Sequence, residues 1–169
     1  MSITGLTDDI RAAPVAAVFF HCSETGKASR RAAHWRLFFQ LGGRYRGRSV
    51  EFNSQRLQED MRTRLYVTYR QYQTSTRSRE IGNTAVPVAS GVTLGHVLAL
   101  VLQNGRDRYT LNDGGSGCRY WCLTVLNDLE LARYVNQGSG ANVEAFIAQL
   151  YQTLGQTWIP YPLHQGTFY

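Results

Sequence analysis

The sequence has almost no lysine, little cysteine or proline, and no long apolar run. Its 169 residues include 3 cysteines, 4 prolines and a single lysine, Lys27. No stretch approaches the roughly 20 consecutive apolar residues that a membrane-spanning helix needs. Internal repeats, low-complexity segments and linkers long enough to separate domains are also missing. These absences predict one domain over residues 1–169 without a membrane span, and its first 13 residues are expected to be mobile.

The few cysteines bear on the compartment and on metal binding. Cys22, Cys118 and Cys122 are odd in number and show no disulfide framework, which favours reduced thiols and a cytoplasmic location. The start of the chain also lacks the basic and apolar stretches of a secretory signal. Because no CxxC or HxxxH unit is present, a zinc site at Cys118 and Cys122 is the weaker interpretation. No metal and no cofactor are expected.

Arginine provides nearly all of the positive charge, and the net charge is +6. Arginines mix with tyrosines around residues 44–48 and 62–72, as they do on single-strand nucleic-acid surfaces. The same spacing suits solvated edge strands or an arginine-lined pocket for an anionic ligand. Acidic residues interleave with the arginines, and neither a basic helix nor a recognised nucleic-acid module is present. We therefore do not expect dedicated nucleic-acid binding.

Apolar periodicity predicts strands in the first part of the chain and helices afterwards. Strands are predicted over residues 14–22, 34–41, 49–53, 64–72 and 109–111, with a short one at 85–88. Helices are predicted over residues 93–104, 118–135 and 142–154, the first of them capped by Thr93. This order indicates an α+β fold in which a small antiparallel sheet packs against the helix that carries Cys118.

The most informative stretch is the glycine-rich loop of residues 113–117, which leads into a helix beginning at Cys118. Asp113 or Ser116 is the expected N-cap of this helix. A thiol in a first helical turn lies among unpaired backbone N–H groups and at the positive end of the helix dipole, and both favour the thiolate. Cys118 is therefore the candidate nucleophile, with the backbone N–H groups of Gly117 and Cys118 as oxyanion donors. A buried, space-filling thiol is the alternative.

A thiol nucleophile needs a base within hydrogen-bond reach, and this base is usually a histidine. The candidates are His21, His34, His96 and His164. His34 is the best placed, because it stands at the entry of a central predicted strand that can face the cysteine helix. A third polar group usually orients the base, and Asn53 or Glu51 on the neighbouring strand is predicted to do so.

The order of these motifs along the chain is also informative. His34 and Trp35 lie on an early strand, a helix and the short strand of Tyr109 follow, and Cys118 with Trp121 opens the next helix. This order resembles that of the circularly permuted papain-like superfamily, in which the histidine precedes the cysteine. The PPPDE group of deubiquitinase- and deSUMOylase-like peptidases is the most similar, and the lecithin:retinol acyltransferase group is more distant. The resemblance implies a permuted papain-like fold with a cysteine–histidine dyad.

A second resemblance concerns two short motifs. The His-Trp pair at positions 34–35 and the Gly-Cys-Arg-x-Trp motif at positions 117–121 are similar to those of an uncharacterised group of small fungal proteins. Members of that group are candidates for tailoring enzymes of specialised metabolism. The motif departs from the PPPDE pattern at Gly117, where asparagine is usual, and at Arg119.

Together these observations predict a cysteine-dependent acyl-transfer enzyme, a hydrolase or acyltransferase that acts on an amide, ester or thioester. The substrate is expected to be a small-molecule or peptide-like acyl compound. The expected substrate contacts are Trp35, Arg36, Tyr109, Arg119 and Trp121. The alternative is a non-covalent cyclase or isomerase whose pocket the same aromatic side chains line, with Arg36 or Arg119 holding a carboxylate or phosphate.

Overall fold

The computed structural model describes residues 1–25, 32–57, 61–75, 80–112, 117–154 and 165–169. His164 and the two predicted caps Asp113 and Ser116 lie outside the described residues. The fold is α+β, as the sequence predicts, and a mostly antiparallel sheet packs against the cysteine helix. None of the helices described in these ranges is long and apolar enough to cross a bilayer.

The described residues form eight strands and four helices. The strands are β1 (Ser2–Thr4), β2 (Val15–Thr25), β3 (Ala32–Leu41), β4 (Ser49–Arg56), β5 (Arg62–Arg70), β6 (Glu80–Pro87), β7 (Arg108–Thr110) and β8 (Thr167–Phe168). The helices are α1 (Asp8–Arg11), α2 (Leu94–Gln103), α3 (Cys118–Leu131) and α4 (Ser139–Leu154), with a 3-10 turn at Gly43–Tyr45.

All of these strands belong to one sheet, whose order is β6-β2-β3-β4-β5-β7-β8. Neighbouring strands are antiparallel, except that β1 pairs in parallel with β5. Both β1 and β7 pair with the edge of β5 that β4 leaves open, at different places along it. As a result, β5 is an interior strand over most of its length.

The two faces of the sheet differ in what covers them. Trp35, Phe52 and Val67 are at most 1% exposed and belong to the hydrophobic core that includes the helices. Because successive side chains on a strand point to opposite faces, His34 and Asn53 point away from that core. We call the face that carries His34 and Asn53 the outer face of the sheet.

Strands β3 and β4 separate before either of them ends. Their pairing stops at Leu37 and Phe52, although β4 continues to pair with β5 as far as Arg56. The first turn of α3 reaches the free edge of β3, where the Sγ atom of Cys118 lies 3.4 Å from the backbone nitrogen of Trp35. The start of the cysteine helix therefore lies in the gap between two strands.

Strand β6 is longer than the sequence predicts. It begins at Glu80, whereas the alternation indicates only a short strand at 85–88. Within this strand Val86 alone is buried, so the remaining side chains carry little apolar signal. The pairing with β2, rather than its own hydrophobic pattern, accounts for this strand.

Helix α3 differs from its prediction at both ends. Its N-cap residue is Gly117 rather than Asp113 or Ser116, whose side chains lie outside the described residues. The helix ends at Leu131 rather than at residue 135, because Arg133 adopts a left-handed φ of 59° that closes a C-terminal cap. Residues 1–13, which were predicted to be mobile, contain β1 and α1.

Candidate active site

Cys118 is the first residue of α3, and its partly buried thiol lies against the backbone of β3. The backbone N–H of Trp35 donates a hydrogen bond to Sγ over 3.4 Å, and Sγ lies 3.9 Å from the carbonyl oxygen of Ala33. Both backbone groups point away from β2, into the gap that β4 leaves. The sulfur therefore occupies a position that a neighbouring strand would otherwise fill.

His34 and Asn53 stand on either side of this gap. The Nε2 atom of His34 lies 2.8 Å from Oδ1 of Asn53, and the same imidazole interacts with the thiol of Cys118. Because Nε2 faces Asn53, Nδ1 is the ring nitrogen that remains for the thiol. The structure thus brings together the nucleophile, base and orienting amide that the sequence predicts.

The electrostatics of the pair favour its ionised form. Burial opposes the charge on Cys118, but the hydrogen bond and charge of His34, with the backbone N–H groups of Trp35 and Arg119, lower the thiol's pKa below its ordinary value. Burial also opposes a charged His34, but the hydrogen bond and charge of Cys118 and the Asn53 contact raise its pKa. The two shifts together widen the pH range in which a thiolate faces an imidazolium.

Tyr109 holds the backbone just before Cys118. Its fully buried hydroxyl donates to the carbonyl oxygen of Gly117 over 3.0 Å and accepts from the backbone N–H of Gly166 over 2.8 Å. Gly117 has a φ of +136°, and a Cβ atom there would lie 2.6 Å from this hydroxyl. Because a peptide unit is planar, fixing the carbonyl of Gly117 also fixes the direction of the N–H of Cys118.

The chain matches a known family over most of its length. The profile of DUF7770, a domain of unknown function, matches residues 16–169. The chain belongs to the DUF7770 family. No curated protein and no solved structure matches it significantly. His34, Asn53 and Cys118 all fall within the matched range, so the candidate site lies inside the DUF7770 domain.

Three of the predicted substrate contacts are interior residues of the DUF7770 domain. Trp35, Tyr109 and Trp121 are each at most 1% exposed. The indole N–H of Trp35 reaches the hydroxyl of Tyr151 over 3.3 Å, and that of Trp121 reaches the carbonyl of Arg106 over 2.7 Å. These side chains support the site from within and offer almost no surface to a ligand.

The two arginines predicted to contact substrate are also engaged by protein groups. Arg36 lies on the outer face, where it forms a 2.9 Å ion pair with Glu51. The guanidinium of Arg119 stacks over the ring of Tyr151 at 4.9 Å, and its side chain is largely buried. Sequence reasoning missed Tyr151, because a tyrosine on the last predicted helix carries no local sign that it packs beneath the site.

The other two described histidines of the DUF7770 domain have other partners. His21 is buried on the outer face and lies 3.2 Å from a carboxylate oxygen of Glu80. Burial and the charge of Arg36 lower the pKa of His21, which favours its neutral form. His96 completes a capping box with Thr93 at the start of α2. Neither of these two histidines contacts the thiol.

Two other features of the described part of the chain bear on the choice of site. No group of three or more histidine, cysteine or acidic side chains gathers there in a metal-binding arrangement. A cavity of about 680 Å³ lies at the far end of α3, lined by Asn127, Glu130, Leu131, Arg133, Val135, Asn136 and Gln137. A helix of 14 residues is about 20 Å long, so this cavity is remote from Cys118.

Proposed function

We propose that this protein is a cysteine-dependent acyl-transfer enzyme with a Cys118–His34 dyad. The observation that carries the proposal is the juxtaposition of Cys118, His34 and Asn53, in which the imidazole interacts with the thiol and hydrogen-bonds the amide, assembled from a helix start and two strands. A pairing of this kind activates a thiol for attack on a carbonyl carbon. Free cysteines among the described residues are compatible with the predicted cytoplasmic location.

The proposed reaction has two steps. The thiolate of Cys118 attacks the carbonyl carbon of an amide, ester or thioester, forming an S–C bond and a tetrahedral oxyanion. The oxyanion collapses, the bond to the leaving group breaks, and the leaving group takes the proton held by His34. Water or an amine then attacks the acyl-enzyme and gives its proton to His34, which releases the acyl product and restores the dyad.

The oxyanion needs hydrogen-bond donors close to the sulfur. The backbone N–H of Cys118 is the first candidate, because the N–H groups in a first helical turn have no acceptor within the helix. The hydroxyl of Tyr109 orients the peptide unit that contains this N–H group. The N–H of Gly117, the second predicted donor, stays a prediction.

The Tyr109→Phe variant tests the orienting role of this hydroxyl. It keeps the ring that packs 4.7 Å from Phe168 but removes both hydrogen bonds to glycines. We expect about 1–2 kcal/mol less unfolding free energy and about tenfold slower acyl transfer. Tyr69→Phe is the control, because its hydroxyl accepts a hydrogen bond from the exposed side chain of Arg48 at 3.0 Å. Equal rates for the two variants would contradict an orienting role for Tyr109.

Thiol alkylation tests activation of Cys118 without any knowledge of the substrate. We expect iodoacetamide to label Cys118 near neutral pH faster than the buried Cys22 and Cys122, and faster than the thiols of the denatured chain. Because the pKa of Cys118 is lowered, its labelling rate is expected to rise at a lower pH than that of an ordinary thiol. Labelling of Cys118 no faster than in the denatured chain would contradict the proposal.

The pH dependence of Cys118 labelling by iodoacetamide also tests the role of Asn53. Its hydrogen bond helps to raise the pKa of His34, so Asn53→Ala is expected to lower that pKa. The protonated form of His34 is then lost at a lower pH. The pair of Cys118 thiolate and His34 imidazolium therefore does not persist to as high a pH as in the unaltered protein. Gln55→Ala, at the next outward-facing position on β4, is the control and is expected to leave the profile unchanged.

A further inference from the structure

The outer face of the sheet continues from the dyad onto β5. Leu65 and Val67 are at most 1% exposed and lie in the core, so Arg64 and Tyr66 point to the outer face. In the β4–β5 register Tyr66 lies opposite Asn53, the residue that holds His34. The two β5 side chains therefore lie beside the dyad, on the same face of the sheet as His34.

Arg64 differs from Arg36 and Arg70, two other arginines of this face. Arg36 and Arg70 both bind the carboxylate of Glu51. Arg64 is exposed, and within the described part of the chain no carboxylate pairs with it. An arginine on an edge strand discourages pairing with other chains, but Arg64 pairs with β4 on one side and with β7 on the other. Protection of a strand edge therefore does not account for its charge.

The spacing suits a short substrate. In the register Arg64 lies opposite Gln55, two residues beyond Asn53. Arg64 and Asn53 are therefore diagonal neighbours, whose Cβ atoms lie about 7–8 Å apart in an antiparallel pair. The long side chain of Arg64 can cover part of that distance. A planar guanidinium presents two parallel N–H donors that match a carboxylate.

We propose that the acyl substrate carries a carboxylate that binds Arg64, while Tyr66 packs against the chain that links this carboxylate to the reacting carbonyl. This inference rests on the proposed function, because it names the substrate class of the same site. It places the acyl chain across β4 and β5 on the outer face. The leaving group then lies on the opposite side of the dyad, towards β2.

Two thiol reagents that differ only at their far end test this subsite. N-iodoacetyl-β-alanine ends in a carboxylate, and its amide analogue ends in a neutral group of similar size. The measured quantity is the ratio of the two rate constants for labelling Cys118, followed by mass spectrometry. We expect Arg64→Ala to lower this ratio by about twofold to fivefold, the effect of one exposed charge pair, and to leave the rate with the neutral reagent unchanged.

Arg44→Ala is the matched control, because it removes the same charge from an exposed pair with Asp9 far from the dyad. A ratio that falls equally in both variants, or in neither, would overturn the subsite. Failure of the proposed function gives a different result, since the neutral reagent would then label Cys118 no faster than in the denatured chain. A lower ratio with Arg64→Ala alone supports the carboxylate subsite.

Discussion

Replacing Cys118 with alanine is expected to reduce acyl transfer by about 10³-fold or more, because the proposed acyl-enzyme forms on its sulfur. The fold is expected to persist, since the substitution removes one partly buried sulfur atom. The rate is measured as nitrophenol release from an activated 4-nitrophenyl ester, and circular dichroism checks the fold. His34→Ala is expected to cause a loss of similar size, because the two side chains act as a unit.

Cys122→Ala is the matched control for this experiment. Cys122 lies one turn further along α3, is 1% exposed, and has a pKa that burial raises well above its ordinary value. Its thiol therefore stays protonated, and we expect the variant to keep its rate. The Cys118→Ser variant separates the two hypotheses from the sequence, because full activity with serine on the physiological substrate would favour the non-covalent cyclase or isomerase over an acyl-enzyme.

Replacing Glu51 with alanine is expected to lower the free energy of unfolding by about 3–5 kcal/mol, the usual cost of leaving a buried charge without its partner. Glu51 is 2% exposed, and its two carboxylate oxygens accept hydrogen bonds from Arg36 at 2.9 Å and from Arg70 at 2.7 Å. The variant leaves the positive charge of Arg36 largely buried. Urea denaturation followed by circular dichroism measures the change.

The control is Asp9→Ala, which breaks a solvent-exposed ion pair. Asp9 lies 2.8 Å from Arg44, and both side chains are more than half exposed. Exposed pairs of this kind contribute about 0–1 kcal/mol. A loss in Glu51→Ala no larger than that in Asp9→Ala would contradict the role assigned to the buried carboxylate.

The strand and helix pattern was largely predictable from the sequence. Alternation places the strands around His34, Val50 and Leu65, and Thr93 caps α2 as expected. Strand β6 was mostly missed, since its side chains are largely polar or exposed and its pairing with β2 is not visible locally. The end of α3 was also predicted too late in the chain, because Tyr134 and Val135 continue the apolar spacing of the helix. The helix ends before them, since Arg133 has a left-handed φ.

The candidate site was predictable only in part. A glycine-rich loop before an apolar helical pattern is a local signal, and it identified Cys118 as the first residue of a helix. The choice between Asn53 and Glu51 had no local signal, because residues two apart on a strand share a face. The point at which β3 and β4 separate decided it, since Glu51 still pairs with β3 whereas Asn53 lies past the last pair and meets His34.

The sequence by itself determined which residues lie at a helix start and which lie on alternate faces of each strand. These properties follow from the backbone geometry of neighbouring residues, so a short window contains them. The tertiary structure alone decided that Trp35, Tyr109 and Trp121 are interior supports rather than the walls of a pocket. It also decided that the thiol meets His34 in a gap between strands, because the contact joins residues 84 positions apart and depends on the register of the whole sheet.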